Sequence, residues 1–349
     1  MRRLYLRDAR PGDQLDDVFV FNNKQIATTN TGKFYIKAFI GDKTSQVTAR
    51  MWNASQELFQ KLPESGFVRV FGRVENYQGN LQIIMDRLSQ PADGSYEIDD
   101  LLPCTKKDVK QMFARLTELC GSISNRHLMA VVQAFLDDEQ LMANFRRAPA
   151  AMSFHHAFIG GLLEHTLNAM EVVHAIRPFY AHLNSDLVLA GVFLHDLAKT
   201  WELKYETAFG YTDGGQLVGH IVKIALWIED KAKAAGETLG EPIPRQLIDV
   251  LQHIVLSHHG ELQYGAAKVP ATPEAIAVHE IENLDAKLTM ALSATRDPDA
   301  NPEGDWTEYM KAFGVKMYRP DVAPADVPAE PEPAAQLTNP LFGDFAQKK

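Results

Sequence analysis

Ala190-Gly191-Val192-Phe193-Leu194-His195-Asp196-Leu197-Ala198-Lys199 is an almost unbroken apolar run that stops on an imidazole and a carboxylate side by side. With Ser185-Asp186 ahead of it as a plausible N-cap, the run predicts a buried helix over 186–199. A polar group buried there without a partner is costly, so the pair implies something to bind. Adjacent side chains on a regular helix diverge by ~100°. His195 and Asp196 can therefore grip one ion only near a helix end or bend, or serve two ions from either side with Asp196 bridging.

Outward from this pair lie Glu164-His165-Thr166, Gly219-His220, Ser257-His258-His259 and Asp285 within Asn283-Leu284-Asp285-Ala286-Lys287. All twelve histidines fall at or beyond His127. Imidazole and carboxylate are ligands for Mn, Fe, Co and Zn, with Mg a candidate on the carboxylates alone. His165 and Asp285 can complete a first site with His195 and Asp196. His220, His258 and His259 can build a second with Asp196. Two ions ~3.5–4 Å apart would clamp a phosphoryl group and generate hydroxide at neutral pH. Asp196, Lys199 and His220 are the catalytic candidates, Lys199 as a point charge one turn beyond the pair that can meet a phosphate oxygen. A single His-Asp or His-His pair is common by chance; the ordered series carries the specificity. His127, His174, His182, His253 and His279 read as surface or satisfied core histidines.

The same region predicts helices over 109–120, 127–137, 160–175, 219–235, 244–257 and 273–296. The front of the chain reads differently. Lys33-Phe34-Tyr35-Ile36-Lys37-Ala38-Phe39-Ile40, Gln46-Val47-Thr48-Ala49-Arg50-Met51-Trp52 and Phe67-Val68-Arg69-Val70-Phe71-Gly72-Arg73-Val74 alternate as strands. A further strand, Leu81-Gln82-Ile83-Ile84-Met85, follows the turn Tyr77-Gln78-Gly79-Asn80, and a short helix is read over 55–62. This suits a small N-terminal β-barrel of OB type over 1–95. The helical domain follows over 96–318, with a lead-in at 106–150. One barrel face is aliphatic. The other presents Tyr35, Lys37, Phe39, Arg50, Trp52, Arg69, Phe71 and Arg73, the mixture that stacks bases and meets phosphates. Packing against the second domain or a partner subunit explains such aromatics as well.

The net charge of −10 argues against a nucleic-acid partner, but it is unevenly spread. Residues 1–95 carry 13 Lys and Arg against 10 Asp and Glu, and the remainder 22 against 35. Two cysteines exclude a disulfide framework or thiolate cluster. No apolar run spans a bilayer and no secretory signal opens the chain, so no membrane partner and a cytoplasmic location are expected. The Pro-, Ala- and acid-rich stretch 319–349 reads as a disordered tail whose Leu341-Phe342 cluster can dock another protein. Exposed apolar residues leave a homo-oligomer open.

The ordered His…His-Asp…His…His-His…Asp series resembles the HD superfamily of phosphohydrolases. More narrowly, Phe154-His155-His156-Ala157-Phe158-Ile159-Gly160-Gly161-Leu162-Leu163-Glu164-His165-Thr166, the His195-Asp196 run and Leu256-Ser257-His258-His259-Gly260 look like the YhaM family of 3′–5′ exoribonucleases. That resemblance covers roughly 1–315 and implies an OB domain followed by an all-helical HD domain. It also implies one or two divalent ions per chain, Mn favoured, and stepwise hydrolysis of single-stranded RNA, or DNA, to mononucleotides. Family ligands carry over onto His165, His195, Asp196 and Asp285, and second-metal positions onto His220, His258 and His259. The residues alone leave two rivals: hydrolysis of a small nucleotide or cyclic dinucleotide, and a non-catalytic RNA-binding protein with a structural metal.

Overall fold

The computed structural model describes residues 3–92, 94–152, 156–205, 209–296 and 304–322. The chain divides into two compact units, Met1–Met290 and Ala291–Lys349. Within the first, five strands close into a barrel: β1 (Gln14–Thr28), β2 (Phe34–Gly41), β3 (Gln46–Trp52), β4 (Gly66–Tyr77) and β5 (Asn80–Ser89), in the order β1-β2-β3-β5-β4. Helix α1 (Gln56–Lys61), capped by the Ser55 side chain on Leu58 N, joins β3 to β4. Ile36, Ala38, Ile40, Ala49, Val68, Val70, Val74, Ile83 and Met85 fill the interior, as the period-2 pattern requires.

β1, the longest strand, has no counterpart among the strands read from sequence. Its Val18-Phe19-Val20-Phe21 run does not alternate because both of its faces are covered. Phe19 and Phe21 point into the barrel, while Val18 and Val20 pack with Leu101 and Leu102 beneath the chain leaving it.

The helices follow: α2 (Val109–Gly121), α3 (Arg126–Leu136), α4 (Glu139–Phe145), α5 (Gly161–Ile176), α6 (Ser185–Leu194), α7 (Lys199–Glu202), α8 (Asp213–Leu217), α9 (His220–Leu239), α10 (Arg245–Ser257) and α11 (Pro273–Arg296). Asp108, Asn125 and Asp138 cap α2, α3 and α4. One core, from Leu116 through Phe135, Phe145, Phe193 and Ile228 to Ile254, binds them together. A two-residue hairpin, β6 (Leu203–Lys204) with β7 (Gly210–Tyr211), interrupts the helices. In the second unit, within the stretch assigned to the helical domain, Trp306 bridges to Tyr318 and Met310 to Val315.

The helix expected over 186–199 is two. Asn184, not Ser185-Asp186, caps α6 through Leu187 N, and the Asp186 carboxylate instead receives Ser124 and Asn125 amides. α6 ends at Leu194, and Lys199 N donates to Asp196 O at 2.8 Å across a turn. Among the described residues no helix is long and apolar enough to cross a membrane. The tail with its Leu341-Phe342 cluster and His155 lie outside the described residues, apart from 319–322.

Candidate metal centre

The break after α6 frees His195 and Asp196 to turn toward the same space. α5 brings His165 from its first turns, α9 opens on His220, α10 delivers His258 and His259 just past its end, and α11 carries Asp285. After His259 the chain turns at Gly260 (φ 76°), where a Cβ would stand 2.2 Å from the His279 ring. His279 Nδ1 in turn donates to His258 O at 2.7 Å.

Hydrogen bonding fixes where each imidazole holds its proton. His195 Nδ1 lies 2.7 Å from Val192 O, His258 Nδ1 2.7 Å from Val255 O and His259 Nδ1 2.8 Å from Tyr264 O. A carbonyl can only accept, so each Nδ1 carries the hydrogen and each Nε2 a lone pair. His220 Nδ1 faces the Glu202 carboxylate at 2.9 Å and 3.0 Å, with the same consequence. Glu202 also accepts the His220 amide at the start of α9, a favourable place for a carboxylate.

These lone pairs converge on one carboxylate. His220 Nε2 and His258 Nε2 stand 3.3 Å and 3.5 Å from Asp196 Oδ1, and His195 Nε2 3.4 Å from Oδ2. His165 Nε2 is 3.2 Å from His195 Nε2. Asp196 Oδ1, His220 Nε2 and His258 Nε2 are buried with no hydrogen-bond partner. Acceptors facing acceptors in a dry interior repel unless a positive centre lies among them. Several imidazoles with one carboxylate form a donor set that fits a first-row divalent ion. The ligand atoms of His165, His195 and Asp196, and those of His220, His258 and His259, each lie within 4.8 Å of one another. Asp196 turns Oδ2 toward His195 of the first group, and Oδ1 toward His220 and His258 of the second.

Electrostatics agree for three of the rings, whereas at His195 burial is outweighed by the neighbouring Asp196 carboxylate and the value is raised. Burial holds His165 and His258 below the usual histidine range, His258 well below. Burial brings His259 down to about 4. These rings are neutral at pH 7, as ligands must be. Burial opposes the Asp196 charge, but Lys199 and His195 outweigh it and hold the carboxyl well below its ordinary value. Lys199 Nζ sits 2.7 Å from Asp196 Oδ2, so its charge is committed to that carboxylate.

Asp285 lies on the other nitrogen of His165: its Oδ2 accepts from Nδ1 at 2.6 Å. Two residues near the centre, Glu202 and Glu282, were not among the sequence candidates, and a third, His156, stood in the matched motif without an assigned role. Glu202 orients His220. Glu282, one turn before Asp285, is pushed by burial, with the Asp196 charge adding, up to about 7. His156 touches Asp285. The spacing of Glu282 to Asp285 was the one available signal; Glu202 had none beyond an acid in an apolar stretch.

On the barrel, Tyr35, Lys37, Phe39, Arg50, Trp52, Arg69, Phe71 and Arg73 all turn outward, away from the interior. Lys37, Arg50, Ile84 and Arg73 fall side by side across β2, β3, β5 and β4. Tyr35 and Trp52 rings lie 5.0 Å apart, and the Arg50 guanidinium stands over both and over Tyr77. Two of the cations are paired with acids: Arg69 with Asp16, and Arg73 with Glu75 and Asp86. The face thus has an open end at Tyr35, Lys37, Arg50 and Trp52 and an acid-paired end at Arg69, Phe71 and Arg73. Tyr77 joins the open end, unannounced by the alternation because it sits at a strand terminus.

Residues 162–287 match the HD domain family. The chain is similar to the 3′-5′ exoribonuclease YhaM of Geobacillus sp. (strain WCH70), at 32% identity over 88% of this chain and 93% of that one. It is similar to the Bacillus subtilis (strain 168) 3′-5′ exoribonuclease YhaM at 29%, covering 88% and 96%. Among solved structures, a replication protein A heterotrimer bound to single-stranded DNA matches 25% of this chain and 64% of that chain, at 25% identity and TM-score 0.20.

Proposed function

The chain belongs to the YhaM family of 3′–5′ exoribonucleases, and on that premise we propose that it is a divalent-metal-dependent enzyme, Mn favoured, that shortens single-stranded RNA from the 3′ end to mononucleotides. The observation that carries this reading is the convergence of imidazole lone pairs on the buried Asp196.

His165, His195 and Asp196 would hold one ion, supported by Asp285, and His220, His258 and His259 with Asp196 a second. Ions held there supply Lewis-acid stabilisation of the phosphodiester and a hydroxide at neutral pH. The chain does the rest. Lys199 keeps Asp196 ionised, and Glu202 keeps the His220 lone pair aimed inward. Glu282, near 7, can hold or release a proton beside the centre. The barrel, residues 1–95, would bind the single strand on its open end, with Tyr35 and Trp52 stacking bases and Lys37 and Arg50 meeting phosphates. Such stacking tolerates any sequence, which suits a processive degrader. A cytoplasmic location completes the reading.

The test is a time course on 3′- and 5′-labelled single-stranded RNA with added Mn, comparing wild type with Asp196→Ala. A ladder shortening from the 3′ end, reduced by at least about 10³-fold in the folded variant, is expected, since several electrostatic partners are lost together. An inert wild type on RNA that instead cleaves small nucleotides would overturn the exonuclease reading.

A further inference from the structure

His156 is almost fully buried and stands beside the centre without belonging to its converging set. Its Nε2 donates to Asp285 Oδ2 at 3.0 Å, the same oxygen that His165 Nδ1 reaches at 2.6 Å. The other oxygen, Oδ1, accepts from Asn168 Nδ2 at 3.1 Å, so both ends of the carboxylate are held. We propose that His156 is a positioning residue: it locks Asp285 against His165 and thereby aims the His165 lone pair at the metal. The proposal rests on the reading of His165 as a ligand.

The backbone is built around this contact. His156 has φ 48°, a left-handed conformation that a side-chain-bearing residue keeps only where its surroundings enforce it. Its carbonyl accepts amides from both Ala150 (3.1 Å) and Phe158 (2.9 Å). A Cβ at Gly161 would lie 2.1 Å from that carbonyl, so the first residue of α5 must be glycine for the loop to close. Loop and helix are therefore one piece, with His156 at one end and His165 four residues into α5 beyond Gly161. The Nε2 of His156 is spent on a carboxylate, which sets it apart from the ligands, whose Nε2 atoms point into the centre. A carboxylate behind a metal-bound imidazole fixes ring orientation and raises basicity, and a residue that fixes the carboxylate acts one step further out.

Mn(II) binding to the full chain without RNA, read by electron paramagnetic resonance, tests this. His156→Ala is expected to weaken binding at the first site by about 10–100-fold, as loss of outer partners does. His156→Gln, whose amide keeps an N–H donor, should recover most of the loss. In an Asp285→Asn background His156→Ala should add less than about twofold, because residues acting through one another are not additive. Additive losses, or a Gln variant no better than Ala, would overturn the proposal. If His156→Ala fails to fold, His156→Asn, whose shorter amide falls short of Asp285, takes its place in the cycle. Wild type that binds no Mn, or binds it regardless of Asp196→Ala, would sink the metal reading itself. Asp196-dependent binding that ignores His156 would sink this inference alone.

Discussion

The helical centre and the outer face of the barrel carry similar side chains under opposite conditions. At the centre, Asp196 is 1% exposed and each neighbour has one job: Lys199 holds one oxygen, and His220 and His258 aim at the other. On the barrel, Trp52 is 41% exposed and Phe71 40%, and cations and acids trade places around them in water. A charge that has left water must be matched by its partners, whereas an exposed pair such as Arg69 with Asp16 is screened by water and contributes little. The centre should therefore fail from single changes far from the chemistry, and the face should weaken by small steps.

The sharpest way to break that contrast is Glu202→Gln. The isosteric amide still accepts one hydrogen bond from His220 Nδ1 but has lost the charge that fixes the ring. Metal affinity or turnover should fall by about 10–100-fold although Glu202 need touch no ion. Mn titration followed by turnover at saturating Mn separates the two. A variant indistinguishable from wild type would mean that the centre is no less tolerant than the surface.

Smaller effects are expected on the barrel. With metal chelated so that RNA stays intact, Trp52→Ala should weaken binding of labelled single-stranded RNA by about 1–3 kcal/mol, the range for a stacking residue. Arg69→Ala, already tied to Asp16, should weaken binding much less than Trp52→Ala does. Fluorescence anisotropy ranks them. The reverse order would move the binding track to the acid-paired end of the face.

The same contrast explains what could be read in advance. Alternation betrayed β2, β3 and β4 because one side of each meets water, whereas β5, buried on both faces over Gln82 to Met85, was marked by the turn before it. β1 escaped because Leu101 and Leu102 cover its outer side, removing the alternation. The series of His and Asp that converges on Asp196 was legible because His and Asp are rare in apolar runs. The supporting contacts were not: Glu202 and His156 are placed by turns and loops, and nothing in their local sequence says that one faces His220 and the other Asp285. The helix break at His195 was equally hidden, since the apolar run continues through Leu197-Ala198 while the hydrogen bonding does not.

The smallest expected effect probes the centre through its stability. Glu282 is raised from 4.5 to about 7, by burial first and then by the Asp196 charge. At Glu282 the folded chain therefore binds more protons than the unfolded one between those values. The Glu282 contribution to the stability of the metal-free protein falls as pH rises from about 4.5 through about 7, against the rise contributed by the buried His165, His258 and His259. Glu282→Gln removes that slope. Its melting temperature in chelator should match wild type near pH 4 and exceed it at pH 8, by roughly 2–4 °C for each kcal/mol recovered in a domain of this size. Added Mn should narrow the gap, because a nearby cation favours the carboxylate. A gap that is the same at both pH values would detach Glu282 from the charges of His195, Asp196 and Lys199, and leave the centre with fewer dependent neighbours than its burial implies.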